Sequence, residues 1–339
     1  MAGRSDRPFE MAEAFEPLAA AIARRFGSGA RIENLEAATL GGSNRTLLFD
    51  LVEGAGRRRL VSRQQTYQAG DSPFLAPEEQ FRVMREVYAC GLPVPEPVFV
   101  YDEADGMDAG FVTGFVAGET TPKRIQADAE ASGAGEGMAA QLGTLLGRLH
   151  GLPADRFVFL ASRADSVDPL AAQRDRYDGY GQIRPVIEYG LHWLERHRPP
   201  LRPAHLVHGD FRLGNFMVQG AAIASLLDWE CAHVGSGAED IGWLCTRSWR
   251  FARPDLAVGG LAGIAPFLAA YAEAGGRVPD VEERRWWEIF GLTRWAILNL
   301  MQAEAHMRGT RRGPVYAACG RNTALVEYDL MMTLTGCYA

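Results

Sequence analysis

The sequence predicts an α+β fold in two lobes: a small N-terminal antiparallel β-sheet lobe with one inserted helix over residues 1–116, and a larger, mainly helical C-terminal lobe over residues 117–339. Three observations carry this expectation. Up to about residue 116, short stretches of alternating apolar residues are separated by turn residues, with a single helical stretch among them. Beyond Gly118 the apolar residues recur at three- and four-residue spacing. Inside that second half, Leu206 to Glu230 (LVHGDFRLGNFMVQGAAIASLLDWE) interrupts the helical pattern with three short apolar runs and an ordered set of polar residues. The 339 residues, 47% of them hydrophobic, suffice for two cores, since chains of about 300 residues bury roughly three quarters of their unfolded surface.

The elements follow in order. Met11, Phe15, Leu18, Ile22 and Phe26 share helical spacing and predict a helix lying on a sheet. Ile32 to Leu40 predicts a strand, broken by Gly41-Gly42-Ser43-Asn44, and Leu47, Phe49 and Leu51 alternate in a second strand. A basic turn at Arg57 to Arg59 leads into a third strand, Leu60 to Gln65. The inserted helix starts at Pro77, with Glu78 and Glu79 placed well for its dipole, buries Phe81, Met84, Val87 and Tyr88, and ends near Gly91 before Pro93-Val94-Pro95. Val98 to Tyr101 and Gly110 to Val116 complete the sheet. In the second lobe, Ala131 to Gly137 reads as a mobile loop. Met138 to His150, Arg174 to His197, Ala238 to Trp249, Gly259 to Ala274, Glu282 to Met307 and Arg321 to Leu334 read as helices. Ala204 to Val207, Phe216 to Val218 and Ile223 to Leu227 read as strands, the last two joined at Gln219-Gly220.

Composition narrows the function classes. Lys plus Arg number 35 against 42 Asp plus Glu, a net charge of −7, and the basic residues form no long stripe, which argues against nucleic acid as partner. No run of 18 apolar residues occurs and Met1 to Glu10 is polar, so neither a signal peptide nor a membrane span is expected. The five cysteines are odd in number and lack paired spacing, as for reduced thiols in a cytoplasm; Cys231 reads as packing filler. There is no GxxxxGK[ST] phosphate loop, no GxGxxG after a strand and no zinc spacing of His and Cys.

The order His208-Gly209-Asp210, then Asn215, then Asp228 is the order a kinase-type phosphoryl-transfer site needs. One carboxylate orients an attacking hydroxyl and accepts its proton. The amide oxygen and the second carboxylate hold Mg²⁺, a hard cation that takes oxygen ligands, against the phosphates of ATP. Taken singly, Asp210 and Asn215 could be turn residues and Asp228 a strand-end acid; the three together, flanked by apolar strands, favour the site.

With these residues the chain resembles the aminoglycoside phosphotransferase and choline kinase superfamily, from about Leu35 to Leu300, and within it the branch of kinase-like domains associated with acyl-CoA dehydrogenases. The most specific part is HGDxxxxN followed by Asp228-Trp229-Glu230. Softer matches are GGSNRT, Pro93-Val94-Pro95 and Phe111 to Thr120. The resemblance implies a bilobal protein-kinase-like fold with its cleft at a hinge near Gly114 to Gly118, and γ-phosphate transfer from ATP to small-molecule hydroxyls. It implies Asp210 as base, His208 as brace of the catalytic loop, Asn215 and Asp228 as metal ligands and Asp240 as a structural acid. Gly42, Ser43 and Asn44 would cover the phosphates, although a Gly-Gly turn is also an ordinary hairpin connector. Gly114, Phe115 and Val116 would line the nucleotide at the hinge. Arg63 stands where many members place Lys, and Gln80 where a helix acid pairs with it; Gln80 bonds Arg63 as a neutral partner, or Glu79 takes that place. His150 matches the LxxLH helix ending and reads as a packing histidine on bare sequence.

The acceptor is the open element. An antibiotic kinase needs acids for a polycation, and Asp178, Glu188, Glu230 and Glu304 are candidates or solvated surface. A thioester of CoA would need basic groups for its phosphates, and Arg308, Arg311, Arg312 and Arg321 are candidates or an exposed basic loop. Trp286, Trp287 and Trp295 read as core, one of them as a candidate pocket wall. The expectation is an ATP- and Mg²⁺-dependent phosphotransferase acting on a small-molecule hydroxyl, of hydroxyacyl type. The alternatives are an aminoglycoside or macrolide kinase and a catalytically silent nucleotide-binding protein. A homodimer is open.

Overall fold

The structure is a computed structural model that describes residues 11–38, 44–65, 72–200, 202–311 and 313–338. The architecture is α+β, and the chain divides into two compact units, Met1–Tyr88 with Pro95–Val116 and Ala89–Val94 with Ala117–Ala339. Residues 89–94 join the second unit through backbone ties: Leu226 N–H donates to Pro93 O at 2.8 Å, and Arg148 donates to Gly91 O at 3.0 Å.

The first unit is a five-stranded antiparallel sheet in the order β1-β2-β3-β5-β4, formed by β1 (Arg31–Ala37), β2 (Asn44–Glu53), β3 (Gly56–Gln65), β4 (Pro97–Val100) and β5 (Gly110–Gly114). Helix α1 (Met11–Phe26) covers one face, burying Ala14, Leu18, Ala21 and Ile22 against Leu47, Phe49, Leu51, Leu60 and Val112. Phe15, expected inside, is 37% exposed, because the buried stripe runs 14-18-21-22 and residue 15 falls about 100° from Ala14. Arg24 and Arg25 at the end of α1 both donate to the buried carboxylate of Asp105, Arg25 Nη1 at 2.7 Å. The basic turn expected at Arg57 to Arg59 lies instead within β3, paired with Val52, Leu51 and Asp50, and the turn sits at Gly54, φ 55°. Arg57 and Arg59 reach buried Asp50 at 3.0 and 3.2 Å. The Asn34 side chain and these guanidiniums hold its carboxyl below the usual range despite burial. Helix α2 (Pro77–Ala89) buries Gln80, Val83, Met84 and Val87, whereas Tyr88 is exposed.

The second unit is mainly helical: α3 (Pro122–Ser132), α4 (Gly135–His150), α5 (Ala164–Val167), α6 (Pro169–Gly179), α7 (Pro185–Arg196), α8 (Ala238–Cys245), α9 (Ile264–Glu273), α10 (Val281–Met307) and α11 (Pro314–Leu334). Two small ribbons interrupt it, β6 (His205–Val207) with β9 (His233–Gly235) and β7 (Phe216–Gln219) with β8 (Ala222–Leu226). Helix α10 runs through the core, its Trp286, Ile289, Phe290, Ile297 and Leu300 packed among Ile187, Leu191, Val326 and Leu330. Helices α4 and α9 approach so closely that a Cβ on Gly143 would stand 2.2 Å from Phe267 O.

Several expected boundaries shift. Ala131 to Gly137 is not a loop: it ends α3, turns at Gly133 with φ 68°, and starts α4. The single helix expected over Arg174 to His197 is two, because Gly181 takes φ 61° and Pro185 can only open a new helix. Helix α8 stops at Cys245 and α9 begins at Ile264, both shorter than their apolar patterns suggest.

Candidate active site

The sequence from β6 to α8 builds one connected constellation. Strand β6 delivers the chain to His208, Gly209 and Asp210. The turn at Gly209 has φ 75°, and a Cβ there would lie 2.3 Å from Cys231 O, so only glycine fits. Gly209 O accepts from Arg294 Nη1 at 2.6 Å, and both backbone N–H groups entering the loop are clasped by Asp240. His208 N–H donates to Asp240 Oδ2 at 2.8 Å and Gly209 N–H to Oδ1 at 2.9 Å. Asp240 is fully buried and also faces His150 Nε2 at 3.1 Å, whose other ring nitrogen meets Tyr271 OH at 2.8 Å. His150, expected as packing, is therefore a brace on the residue that grips the loop.

His208 ties the two halves of the motif together. Its Nδ1 accepts from Asp210 N–H at 3.2 Å and its Nε2 donates to Leu227 O at 2.9 Å, one residue before Asp228. Burial outweighs the neighbouring carboxylates of Asp240, Asp210 and Asp228 and holds its pKa below the ordinary value, which keeps the ring neutral in this tautomer. The ring packs edge-on against buried Trp229 at 4.6 Å.

Asp210 and Asn215 are in contact. Asn215 Nδ2 donates to Asp210 Oδ2 at 2.6 Å and to Asp210 O at 2.8 Å. With the amide nitrogen committed, Asn215 Oδ1 accepts no hydrogen bond among the described residues. Leu227 N–H donates to Asn215 O at 2.8 Å, and β7 pairs with β8 from Phe216 to Leu226, so Asn215 and Asp228 flank the same ribbon end. Asp228 holds φ 65°, ψ 69°, a left-handed conformation that costs a non-glycine residue about 1–2 kcal/mol. Such strain is retained where the surrounding contacts enforce it, as at functional sites.

Asp210 Oδ1 carries two further donors, Arg212 Nε at 2.9 Å and Trp243 Nε1 at 2.7 Å. Neither residue was singled out by sequence. Arg212 sits two positions after Asp210, which could have flagged it. Trp243 lies in an apolar helix and reads as core. A buried ionic group under the loop was also invisible to sequence: His233 donates toward Cys231 O at 3.0 Å and meets Glu239 Oε2 at 3.1 Å, and Arg294 Nη1 lies 3.9 Å from Glu239 Oε1. Burial opposes charge on His233, but Glu239, Asp165 and the Cys231 carbonyl raise its pKa to about 9. Because the folded value exceeds the unfolded one of about 6.5, its contribution to stability is fully present below pH ~6.5 and is lost as pH rises through about 9. Urea titrations from pH 6 to 10 are expected to show this decline, and His233→Gln is expected to flatten it.

Other expected site residues lie in the first unit. Gly42 and Ser43 fall outside the described residues; Asn44 opens β2 opposite Gln65. Arg63 is half-buried on β3, between Thr46 and Phe111. Gln80 turns its Nε2 to Leu75 O at 2.8 Å and its buried Oε1 accepts nothing among the described residues, so it does not bond Arg63. Glu79 Oε2 accepts from Ala76 N–H at 3.2 Å at the start of α2. Gly114 N–H and Phe115 N–H donate to Glu96 O and Arg59 O at 2.8 and 3.0 Å, the Phe115 ring is 42% exposed, and Val116 is half-buried.

The acceptor candidates resolve unevenly. Asp178 and Glu188 share Arg174 at 3.3 and 2.8 Å, and Glu304 pairs with Arg308 at 2.5 Å, so three of the four candidate acids are paired with two arginines of this chain. Arg312 lies outside the described residues, and Arg321 is exposed. Trp286 and Trp287 are core, while Trp295 is half-buried against Trp249 at 4.9 Å. No described helix is long and apolar enough to cross a membrane.

Residues 34–287 match the phosphotransferase enzyme family. The chain is 27% identical over 210 residues, 55% of its length, to mouse acyl-CoA dehydrogenase family member 10, of which it spans 18%. It is 30% identical over 184 residues, 51% of its length, to homoserine kinase of Beijerinckia indica, of which it spans 53%. Among solved structures it resembles a candidate aminoglycoside phosphotransferase of Ralstonia eutropha JMP134, with TM-score 0.66 and 19% identity, covering 94% of this chain and 98% of that one. It also resembles APH(2″)-IIa in its ternary complex with streptomycin and ATP, with TM-score 0.58 and 15% identity, covering 87% and 91%. At these identities the structures establish a shared fold.

Proposed function

Because the chain belongs to the phosphotransferase enzyme family, we propose that it is a small-molecule kinase that moves the γ-phosphate of ATP to a hydroxyl group of a hydroxyacyl-type metabolite. The observation that carries this reading is the Asp210–Asn215 contact, which sets a carboxylate and an amide together at the ribbon end where Leu227, next to Asp228, bonds the Asn215 carbonyl. A relative named homoserine kinase supports a small hydroxylated acceptor, and the partial match to acyl-CoA dehydrogenase family member 10 favours an acyl-type one. The arginine-paired acids weigh against a polycationic acceptor.

In the proposed reaction Asp210 accepts the proton of the acceptor hydroxyl, whose oxygen bonds to the γ-phosphorus while the bridging β–γ P–O bond breaks and ADP leaves. Asn215 Oδ1 and the Asp228 carboxylate fit Mg²⁺, which prefers hard oxygen donors and keeps several waters. When bound, that ion neutralises charge on the phosphate oxygens. Arg63 and the turn Gly42-Ser43-Asn44 would hold the phosphates, and Gly114, Phe115 and Val116 the base. Turnover of about 1–100 s⁻¹ is expected on the true acceptor. The five free cysteines support a reducing compartment such as the cytoplasm.

The test is a thermal-shift measurement with Mg-ATP, followed by ATP-consumption assays over hydroxy acids and their thioesters, hydroxylated amino acids, aminoglycosides and macrolides. At one hundred times Kd, nucleotide binding is expected to stabilise the chain by about 2.7 kcal/mol. Absence of any shift overturns the reading. A shift with turnover only on antibiotics moves the acceptor class, and a shift without turnover leaves a silent nucleotide-binding protein.

A further inference from the structure

We propose that Trp243 is a positioning residue for Asp210, committing one carboxylate oxygen so that the other receives the acceptor's proton. The inference rests on Asp210 as base and goes on to say which oxygen acts and what selects it. A carboxylate oxygen offers two lone-pair sites. On Asp210 Oδ1 both are filled, by Trp243 Nε1 at 2.7 Å and Arg212 Nε at 2.9 Å. Among the described residues Oδ2 accepts only from Asn215 Nδ2, at 2.6 Å, and keeps one site for the hydroxyl. The reacting face is therefore the Asn215 side.

The indole is itself held on every side. Trp243 is 2% exposed, with the Arg294 guanidinium 4.7 Å from its ring centre, Trp249 at 5.1 Å and Trp295 edge-on at 6.4 Å. Trp249 in turn carries the Arg212 guanidinium at 4.6 Å, so the same aromatic group aims both donors of Oδ1. Trp243 lies three residues after Asp240 on α8, and residues at that spacing share a helix face. One turn of one rigid helix thus grips the loop backbone through Asp240 and its reactive side chain through Trp243.

The test compares Trp243→Phe, which keeps the ring and drops the N–H, with Trp243→His, which restores a donor. Turnover of Mg-ATP, with water or any acceptor found, is read alongside KM for Mg-ATP and thermal stability. Trp243→Phe is expected to lower kcat about tenfold, the loss of one hydrogen bond to a charged group, with KM for Mg-ATP unchanged and partial recovery in Trp243→His. Trp243→Phe and Asp210→Ala are expected to be non-additive in melting temperature, since they share the contact. Wild-type kcat in Trp243→Phe, or an equal loss in both Trp243 variants, overturns the proposal. If the wild type turns over no Mg-ATP, the kinase reading falls by itself, and additive melting shifts would then also remove the contact.

Discussion

Asp210→Asn is expected to lower turnover by about 10²–10⁴-fold, the range lost with a positioned general base, while Mg-ATP still raises the melting temperature as in the wild type. The substitution is nearly isosteric. An asparagine Oδ1 still accepts from Trp243 and Arg212, and Asn215 Nδ2 keeps its bond to the residue-210 carbonyl, but the new amide nitrogen then faces Asn215 Nδ2 donor to donor, so the side-chain contact between the two is lost, and the amide cannot take a proton. The measurement is steady-state ATP consumption beside nucleotide-dependent thermal shift. Unchanged turnover would remove Asp210 as base and leave the hydroxyl to be activated elsewhere. Lost nucleotide binding would instead place Asp210 in the nucleotide site.

Asp240→Ala is expected to cost about 3–5 kcal/mol of stability, the usual penalty for breaking a buried charged network by removing one partner. The carboxylate is fully buried and serves three donors at once: His208 N–H, Gly209 N–H and His150 Nε2. Its removal strands two backbone donors in a dry site, and each unsatisfied group carries its own desolvation cost. Burial raises the pKa of Asp240, but the bond to His150 Nε2 and the His208 N–H together with the neighbouring imidazoles bring it below the ordinary value. A depressed folded pKa contributes stability above the unfolded value of about 3.9 and loses it as pH falls through the folded one. Chemical denaturation at pH 7 reads the first effect, and an acid titration of wild type against variant reads the second. A variant as stable as the wild type would mean that the loop holds its shape without this clasp.

The two variants separate chemistry from scaffold. Asp210 is partly exposed and holds few structural obligations beyond its own loop. Asp240 touches no candidate reactant position and carries the loop. The sequence assigned Asp240 to structure by resemblance. Its actual partners, backbone N–H groups about thirty residues earlier, could not be read from a string, because a backbone donor looks alike at every position.

Periodicity alone located the sheet unit, the inserted helix, the β7–β8 ribbon and the long helix α10, since a two-residue or 3.6-residue repeat reports which face is apolar whatever it packs against, but it missed β9, the three-residue partner of β6. It failed where apolar residues continue past a chain reversal, as at Gly181 and Pro185, and where glycine-rich sequence is helical, as at Gly135 to Gly137. The motif spacing named Asp210, Asn215 and Asp228, because chemistry restricts which side chains can serve as base and as cation ligands. Only tertiary structure decided how they are held: Trp243 on Oδ1, Asn215 on Oδ2, His208 between the loop and Leu227, and a buried Arg294–Glu239–His233 group beneath Gly209. Trp243, Glu239 and Arg294 lie far from the loop in sequence, and a hydrogen bond, even from a near neighbour such as Asn215, depends on distance and angle in space, which residue order does not encode until the chain has folded.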